Sequence, residues 1–188
     1  MTLVWTKPEA PARPTRRDQL LSTSASLFAA RGFAGVTTDD IGAALGISGP
    51  ALYHHFKSKE ALLGEMLVSI SEYLLAKGES IVAEVDSPLT GLVGHHADFA
   101  VDNVDLITVH YRDLVHAPDA DQARVRRLQR RYAELWINAV DEPDRRRAAV
   151  RVHAAFGLMN STPHSMRLGR DDMKELLVEM ACSVLTIN

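Results

Sequence analysis

Residues Thr37 to Leu63 read Thr-Thr-Asp-Asp-Ile-Gly-Ala-Ala-Leu-Gly-Ile-Ser-Gly-Pro-Ala-Leu-Tyr-His-His-Phe-Lys-Ser-Lys-Glu-Ala-Leu-Leu, and no other stretch limits the fold so tightly. Thr37 is placed to cap a short helix, Asp40 completes a capping box, and the acidic pair Asp39 and Asp40 suits that helix's positive end. Ile41, Ala44 and Leu45 share one face, and Gly46 offers the left-handed residue that stops the helix. Ser48 opens a second helix with Pro50 in its first turn, where a missing N–H costs little. Two short helices about a glycine turn make a helix-turn-helix, whose second member fits a DNA major groove.

A glycine turn between helices also occurs in proteins that never meet DNA, so the flanking residues decide. A third capped helix begins at Ser58, after the ring cluster Tyr53-His54-His55-Phe56. Lys57 and Lys59 stand where that helix's positive end would face a phosphate. Ahead of the motif, Leu20, Leu21, Ala25, Leu27 and Phe28 recur at helical spacing until Gly32. With Phe33, Val36, Ile41, Leu45, Leu52 and Phe56 they make a small three-helix core.

The ordered set Leu27-Phe28, Arg31-Gly32-Phe33, Thr37-Thr38, Ile41, Gly46-Ile47-Ser48, Leu52-Tyr53-His54-His55-Phe56 and Lys57-Ser58-Lys59-Glu60-Ala61-Leu62 resembles the amino-terminal domain of TetR-family transcriptional repressors. The likeness covers about a quarter of the chain. It departs at Gly42, where that family usually has alanine; glycine keeps a close helix contact and weakens the helix by roughly 1 kcal/mol.

A net charge of -3, taken alone, argues against a nucleic-acid partner. Its distribution reverses that: residues 1–60 carry seven basic against five acidic residues, net +2, and the remainder is net -5. A local basic patch is what phosphate binding requires. Residues 1–14, with Pro8, Pro11 and Pro14, read as a flexible arm, and Lys7, Arg13, Arg16 and Arg17 are placed either to follow the DNA backbone or to enter a minor groove. No apolar run is long enough to span a membrane and the start has no secretory segment, so the expected location is cytoplasmic, without a membrane partner.

From Lys59 to Val85 helical spacing continues, giving a helix of about 40 Å and a candidate lever. Further helices follow: one opened by Ser87-Pro88, one by Asn103, one near Asp121, one after Asp141 and Pro143, and a last one beyond a loop bounded by Pro163 and Gly169. No strand pattern appears. The expected fold is all-α, with the arm at 1–14, a helix-turn-helix DNA-binding domain at 15–60 and a helical ligand-binding and dimerisation domain at 61–188.

Apolar stripes on the final two helices, and the two-fold symmetry helix-turn-helix dimers need for paired half-sites, point to Ala155, Phe156, Met159, Leu176, Leu177, Met180 and Val184 as a homodimer interface. The family resemblance implies the same pairing, through a four-helix bundle. The middle helices are rich in rings, and Leu92, His96, Phe99, Ile107, Tyr111, Tyr132, Trp136 and Phe156 are the candidates for an apolar ligand pocket with a few orienting groups. The resemblance implies an inducer there. Arg124, Arg126, Arg127, Arg130 and Arg131 read first as a solvated face paired with Glu134 and nearby acids. A second reading gives some of them the phosphates of a bulky ligand, because Tyr111-Arg112-Asp113 to Arg130-Arg131-Tyr132 is loosely similar to acyl-CoA-responsive members of the family.

Neither a glycine-rich phosphate loop nor a nucleophile elbow is present, Cys182 lacks a base, and the histidines lack a metal-motif spacing. The expectation is a non-enzyme without cofactor or metal. It is a homodimeric repressor that binds palindromic operator DNA and is released by a small-molecule inducer, hydrophobic or acyl-CoA-like. The expected DNA contacts are Thr37, Thr38, Tyr53, His54, Lys57 and Lys59 on phosphates, with Ser48, Gly49, Pro50 and Ala51 on base edges. The rival readings are a constitutive helix-turn-helix protein without an inducer and, more distantly, a small helical enzyme.

Overall fold

The computed structural model describes residues 15–186. The expected arm at 1–14 therefore lies outside the described residues. Among those described the chain forms helices and no strand: α1 (Arg16–Arg31), α2 (Thr38–Ala44), a 3-10 helix (Gly49–His54), α3 (Lys59–Glu84), α4 (Leu89–Asp102), α5 (Val104–Asp113), a 3-10 turn (Leu114–His116), α6 (Asp119–Ala139), α7 (Arg145–Met159), α8 (Thr162–Ser165) and α9 (Arg170–Thr186). None of these helices is long and apolar enough to cross a membrane.

Local chemistry explains most of the boundaries. Thr15 and Asp18 form a capping box on α1, and Thr37 and Asp40 form another on α2, each satisfying two otherwise orphaned amides. Ser58 Oγ accepts from the Ala61 amide at 3.1 Å at the start of α3. Gly32 and Gly46 have φ of 78° and 67°, the left-handed region that glycine enters without a Cβ penalty. The expected second helix of the motif differs: it is a six-residue 3-10 helix, and the Ser48 side chain makes no capping bond. Gly49 and Pro50 give its first turn poor helix propensity and one fewer amide, which favours a short, tight form. The expected loop between Pro163 and Gly169 also contains the single turn α8, with Pro163 in its first turn.

The chain divides into two compact units. The first runs through Tyr73 and takes in Asp105–Arg126, so it extends beyond the boundary expected at residue 60. Its core holds Leu20, Ala25, Phe28, Val36, Ile41 and Leu52, all fully buried, at about 1.5–3 kcal/mol for each large side chain removed from water. Arg17 pins α1 to α3, its Nε 2.6 Å from Glu65 Oε1, while its Nη1 donates to the His55 carbonyl at 2.6 Å. From α5, Arg112 donates to the Phe28 and Ala29 carbonyls at the carboxyl end of α1.

The second unit comprises Leu74–Val104 and the chain from Arg127 on. Here α9 packs on α7 and α4, burying Met173, Leu177, Ala181 and Leu185. Arg170, at the start of α9, bridges Asp98 at 3.0 Å and Asp102 at 2.6 Å on α4, and Lys174 reaches Asp98 at 2.8 Å.

Candidate nucleic-acid interface and ligand core

The DNA-facing candidates fall into two groups by exposure. Ser48, Pro50, Tyr53, His54 and Lys57 are exposed, as is Thr37, whereas Thr38 and Ala51 are half-buried. Tyr53 keeps 54% of its surface in solvent although its neighbour Leu52 is fully buried. An exposed ring beside an anchored leucine remains open to an outside partner. Gly49, expected at the base edges, is buried, beneath its exposed neighbours Ser48 and Pro50.

Lys59 departs from the sequence expectation. Its ammonium donates to the Phe33 carbonyl at 2.8 Å and the Val36 carbonyl at 2.6 Å, and it lies 4.2 Å above the Phe33 ring. Two of its three N–H donors therefore fasten the loop between α1 and α2. Loop carbonyls past a helix end draw a cation as readily as a phosphate does, and sequence spacing does not distinguish the two. His116 stacks on the other partner of that lysine, Phe33, with centroids 5.1 Å apart and an interplanar angle of 15°.

Gly42 is explained by close approach. A Cβ there would meet Ile47 O at 2.7 Å, Gly49 N at 2.9 Å and Ser48 C at 3.0 Å, all backbone atoms. The turn and the 3-10 helix thus lie against α2 at a depth that only glycine allows.

In the second unit, four ligand candidates come together. His96 stacks with Phe156 at 5.1 Å and with Tyr132 at 5.8 Å, and meets Trp136 edge-on at 5.8 Å. Tyr132 and Phe156 are nearly parallel at 5.7 Å. His96 Nε2 is 3.2 Å from Asn160 Oδ1, and Nδ1 is 3.4 Å from the Tyr132 hydroxyl. A neutral imidazole protonated at Nε2 satisfies both, donating to Asn160 and accepting from Tyr132. Burial pushes the His96 pKa down to about 4, only partly opposed by Asn160, so the ring is uncharged at neutral pH. Trp136 is fully buried and its Nε1 has no hydrogen-bond partner, a state that costs about 1–3 kcal/mol. Leu92 and Phe99 are buried in the same unit, and Phe99 lies 6.1 Å from His96.

The remaining two candidates, Ile107 and Tyr111, belong to the first unit. Tyr111 is 65% exposed, because the buried stripe of α5 runs through Leu106, Val109 and Asp113 and Tyr111 falls off it. A cavity of about 610 Å³ lies between Val82, Leu89, Leu135, Asn138, Asp141 and Leu185, and none of the eight candidates lines it. Sequence reading passed over it because its walls come from four different helix ends.

Among the interface candidates, Ala155, Met159 and Leu177 are buried within the protomer itself, beneath any surface a second copy would touch. Leu176 is 39% exposed, and Phe156, Met180 and Val184 are half-buried. Periodicity shows the apolar stripes and leaves open which edge of each stripe faces inward. Of the arginine run, Arg124 pairs with Glu72 and Arg131 with Glu79. Glu134, their expected partner, instead takes Arg145.

Residues 20–66 match the family model described as bacterial regulatory proteins, tetR family. Over 142 residues the chain is 34% identical to the HTH-type transcriptional repressor KstR2 of Mycolicibacterium smegmatis strain ATCC 700084 / mc(2)155, covering 72% of this chain and 68% of that one. The chain belongs to the TetR family of bacterial transcriptional regulators. Its fold is shared with the ketosteroid transcriptional regulator KstR2 of Mycobacterium tuberculosis, at a TM-score of 0.79 and 20% identity over 95% of this chain and 99% of that one. It is shared too with AibR, solved in complex with isovaleryl coenzyme A and operator DNA, at a TM-score of 0.69 and 18% identity over 88% and 97%. In this TetR-family chain the helix-turn-helix is therefore a DNA-binding element of a transcription regulator, with Gly42 and the 3-10 helix as its local variations.

Proposed function

We propose that this TetR-family chain is a cytoplasmic, homodimeric repressor that binds a palindromic operator and releases it when a small molecule enters the second unit. The DNA-binding domain is assigned to 15–60 and the ligand-binding and dimerisation domain to 61–188. Thr37, Thr38, Tyr53, His54 and Lys57 hold phosphates, Lys59 fixes the loop behind them, and Ser48, Gly49, Pro50 and Ala51 approach the base edges. Repression is supported by the relatives named as repressors. Dimerisation is supported by the exposed apolar residues Val150, at 69%, and Leu176 on α7 and α9, and by the paired half-sites that helix-turn-helix dimers read.

The observation that carries the ligand reading is the unpartnered Trp136 Nε1 inside the His96, Tyr132 and Phe156 cluster. An acceptor oxygen on an otherwise apolar ligand would satisfy it, and the stacked rings would part to admit the ligand body. A coenzyme A thioester combines a carbonyl with an acyl chain, and AibR supplies the precedent for that class. The ligand must bind the DNA-free geometry more tightly to cause release.

The test has three readings on the full-length chain: light scattering for the dimer, selection of duplexes from a random pool for the operator, and mass spectrometry of retained small molecules followed by titration into the protein–operator complex. A strictly monomeric chain that selects no duplex overturns the proposal. A dimer that selects an operator and is released by no retained metabolite or acyl-coenzyme A leaves the constitutive DNA-binding reading in its place.

A further inference from the structure

The base-facing residues Ser48, Gly49, Pro50 and Ala51 carry between them a single side-chain hydrogen-bonding group, the Ser48 hydroxyl. That is a poor set for telling one base pair from another. The structure places a fifth group beside them. A Cβ at Gly49 would overlap Asp39 Oδ1 and would stand 3.2 Å from Asp39 Cα, so the Asp39 carboxylate lies directly against the first residue of the 3-10 helix. Gly49 is buried there, while Ser48 and Pro50 on either side of it are exposed, as is Asp39.

The two acids of α2 have separate employment. Asp40 closes the capping box with Thr37 and pairs with Arg31 at 3.3 Å. Asp39 takes part in neither, and among the described residues no side chain donates to it. An unpaired carboxylate on a face meant for phosphates repels them, so its presence there is unfavourable unless a donor meets it. In a major groove the donor a carboxylate accepts from is the exocyclic amino group of cytosine.

We infer that Asp39 is a specificity-determining residue, reading the N4 amino group of one cytosine in each operator half-site from α2 across the glycine gap left by Gly49. The inference rests on the DNA-binding reading above and adds a base contact to it. Two features of the chain then fit together. Glycine at position 49 clears the carboxylate's path, and glycine at position 42 lets the 3-10 helix sit deep enough for a residue of α2 to reach the same base edge.

The experiment compares duplexes selected from a random pool by the full-length wild-type chain, D39A and D39N, with competition binding at each base of the selected operator. The wild type should prefer cytosine at one position of each half-site by about 10- to 100-fold. D39A should lose that preference at that position alone, and D39N, with one acceptor and one donor, should admit adenine there. If D39A selects the same sequence as the wild type and binds every duplex more tightly, Asp39 is only a repelling charge and the inference falls while the DNA-binding reading stands. If the wild type selects no sequence, both fall. Because Asp39 is exposed, equal melting temperatures for the three proteins are expected and would separate a change in reading from a change in folding.

Discussion

Lys59 holds its ammonium 4.2 Å above the ring of Phe33 and, from the same atom, donates to that residue's own carbonyl at 2.8 Å. The lysine comes from the first turn of α3 and the phenylalanine from the loop after α1, so one side chain ties the start of α3 to the loop between α1 and α2.

Lys57 and Lys59 should therefore behave differently. Lys57 is exposed, and Lys57→Ala should weaken binding to all duplexes alike and lower the slope of log affinity against log salt by about 1. Lys59→Met should instead leave the slope close to wild type and lower the melting temperature, because two carbonyls lose a charged donor, worth about 1.5–3 kcal/mol each at most. Anisotropy titrations at several salt concentrations, with a thermal melt of each variant, check both. An equal fall in slope for the two variants would return Lys59 to the phosphate-binding set.

Gly42→Ala tests the close approach. Helix propensity alone predicts a gain of up to about 1 kcal/mol. The Ile47, Ser48 and Gly49 backbone atoms at 2.7–3.0 Å from the new methyl predict the opposite, because main chain has no rotamer to move aside. The expected outcome is a lower melting temperature and at least a tenfold loss of operator affinity as the 3-10 helix is pushed off α2. A variant that melts higher and binds as well would show that the helix seats at the usual alanine depth.

The features legible in the sequence are those fixed within a few residues. The Thr37–Asp40 capping box, the stops at Gly32 and Gly46 and the long helix from Lys59 all depend on i to i+3 or i+4 chemistry, which spacing displays. The Arg112 contact with Phe28 spans 84 residues and the Ser26 to Asp105 hydrogen bond spans 79, and nothing local marks those partners. The same limit hid that Tyr132, Trp136 and Phe156 meet one another, while Tyr111 and Ile107 belong to the first unit. Periodicity gives a helix its inward face and leaves its neighbours to tertiary packing.

Arg112 offers a test of one such long-range link. Its guanidinium is held by the buried carboxylate of Asp113, at 3.1 and 2.9 Å, while it donates to the Phe28 and Ala29 carbonyls. Arg112→Met leaves the Asp113 charge buried without its partner, and on the order of 3 kcal/mol of stability should be lost. Asp113→Asn in the same chain should recover part of it by removing the stranded charge. A double-mutant cycle by urea denaturation reads the coupling; a coupling energy near zero would mean that the cost of Arg112→Met lies in the Phe28 and Ala29 carbonyls and not in the Asp113 pair.

His96 gives the chain a pH dependence whose sign is fixed. Its folded-state pKa of about 4 lies below the ordinary 6.5 because burial disfavours the charged ring. Between those values the unfolded chain binds a proton that the folded chain refuses, so stability is full above pH 6.5, falls as the pH drops towards 4, and loses no more from this group below that. The whole shift corresponds to about 3 kcal/mol. The partly buried His95 and His110 are displaced in the same direction by burial and steepen the same limb. Asp40 and Glu60, held below their usual range chiefly by hydrogen bonds, add losses at more acid pH. The His96 share is isolated by comparing wild type with His96→Asn in urea melts at pH 7.5, 6, 5 and 4.5. The variant should lose markedly less stability across the series, and parallel curves would mean that the ring is reached by water and titrates in place. A ligand that parts the cluster and hydrates the imidazole should shrink the same difference, which makes the pH profile a readout of pocket opening that needs no DNA.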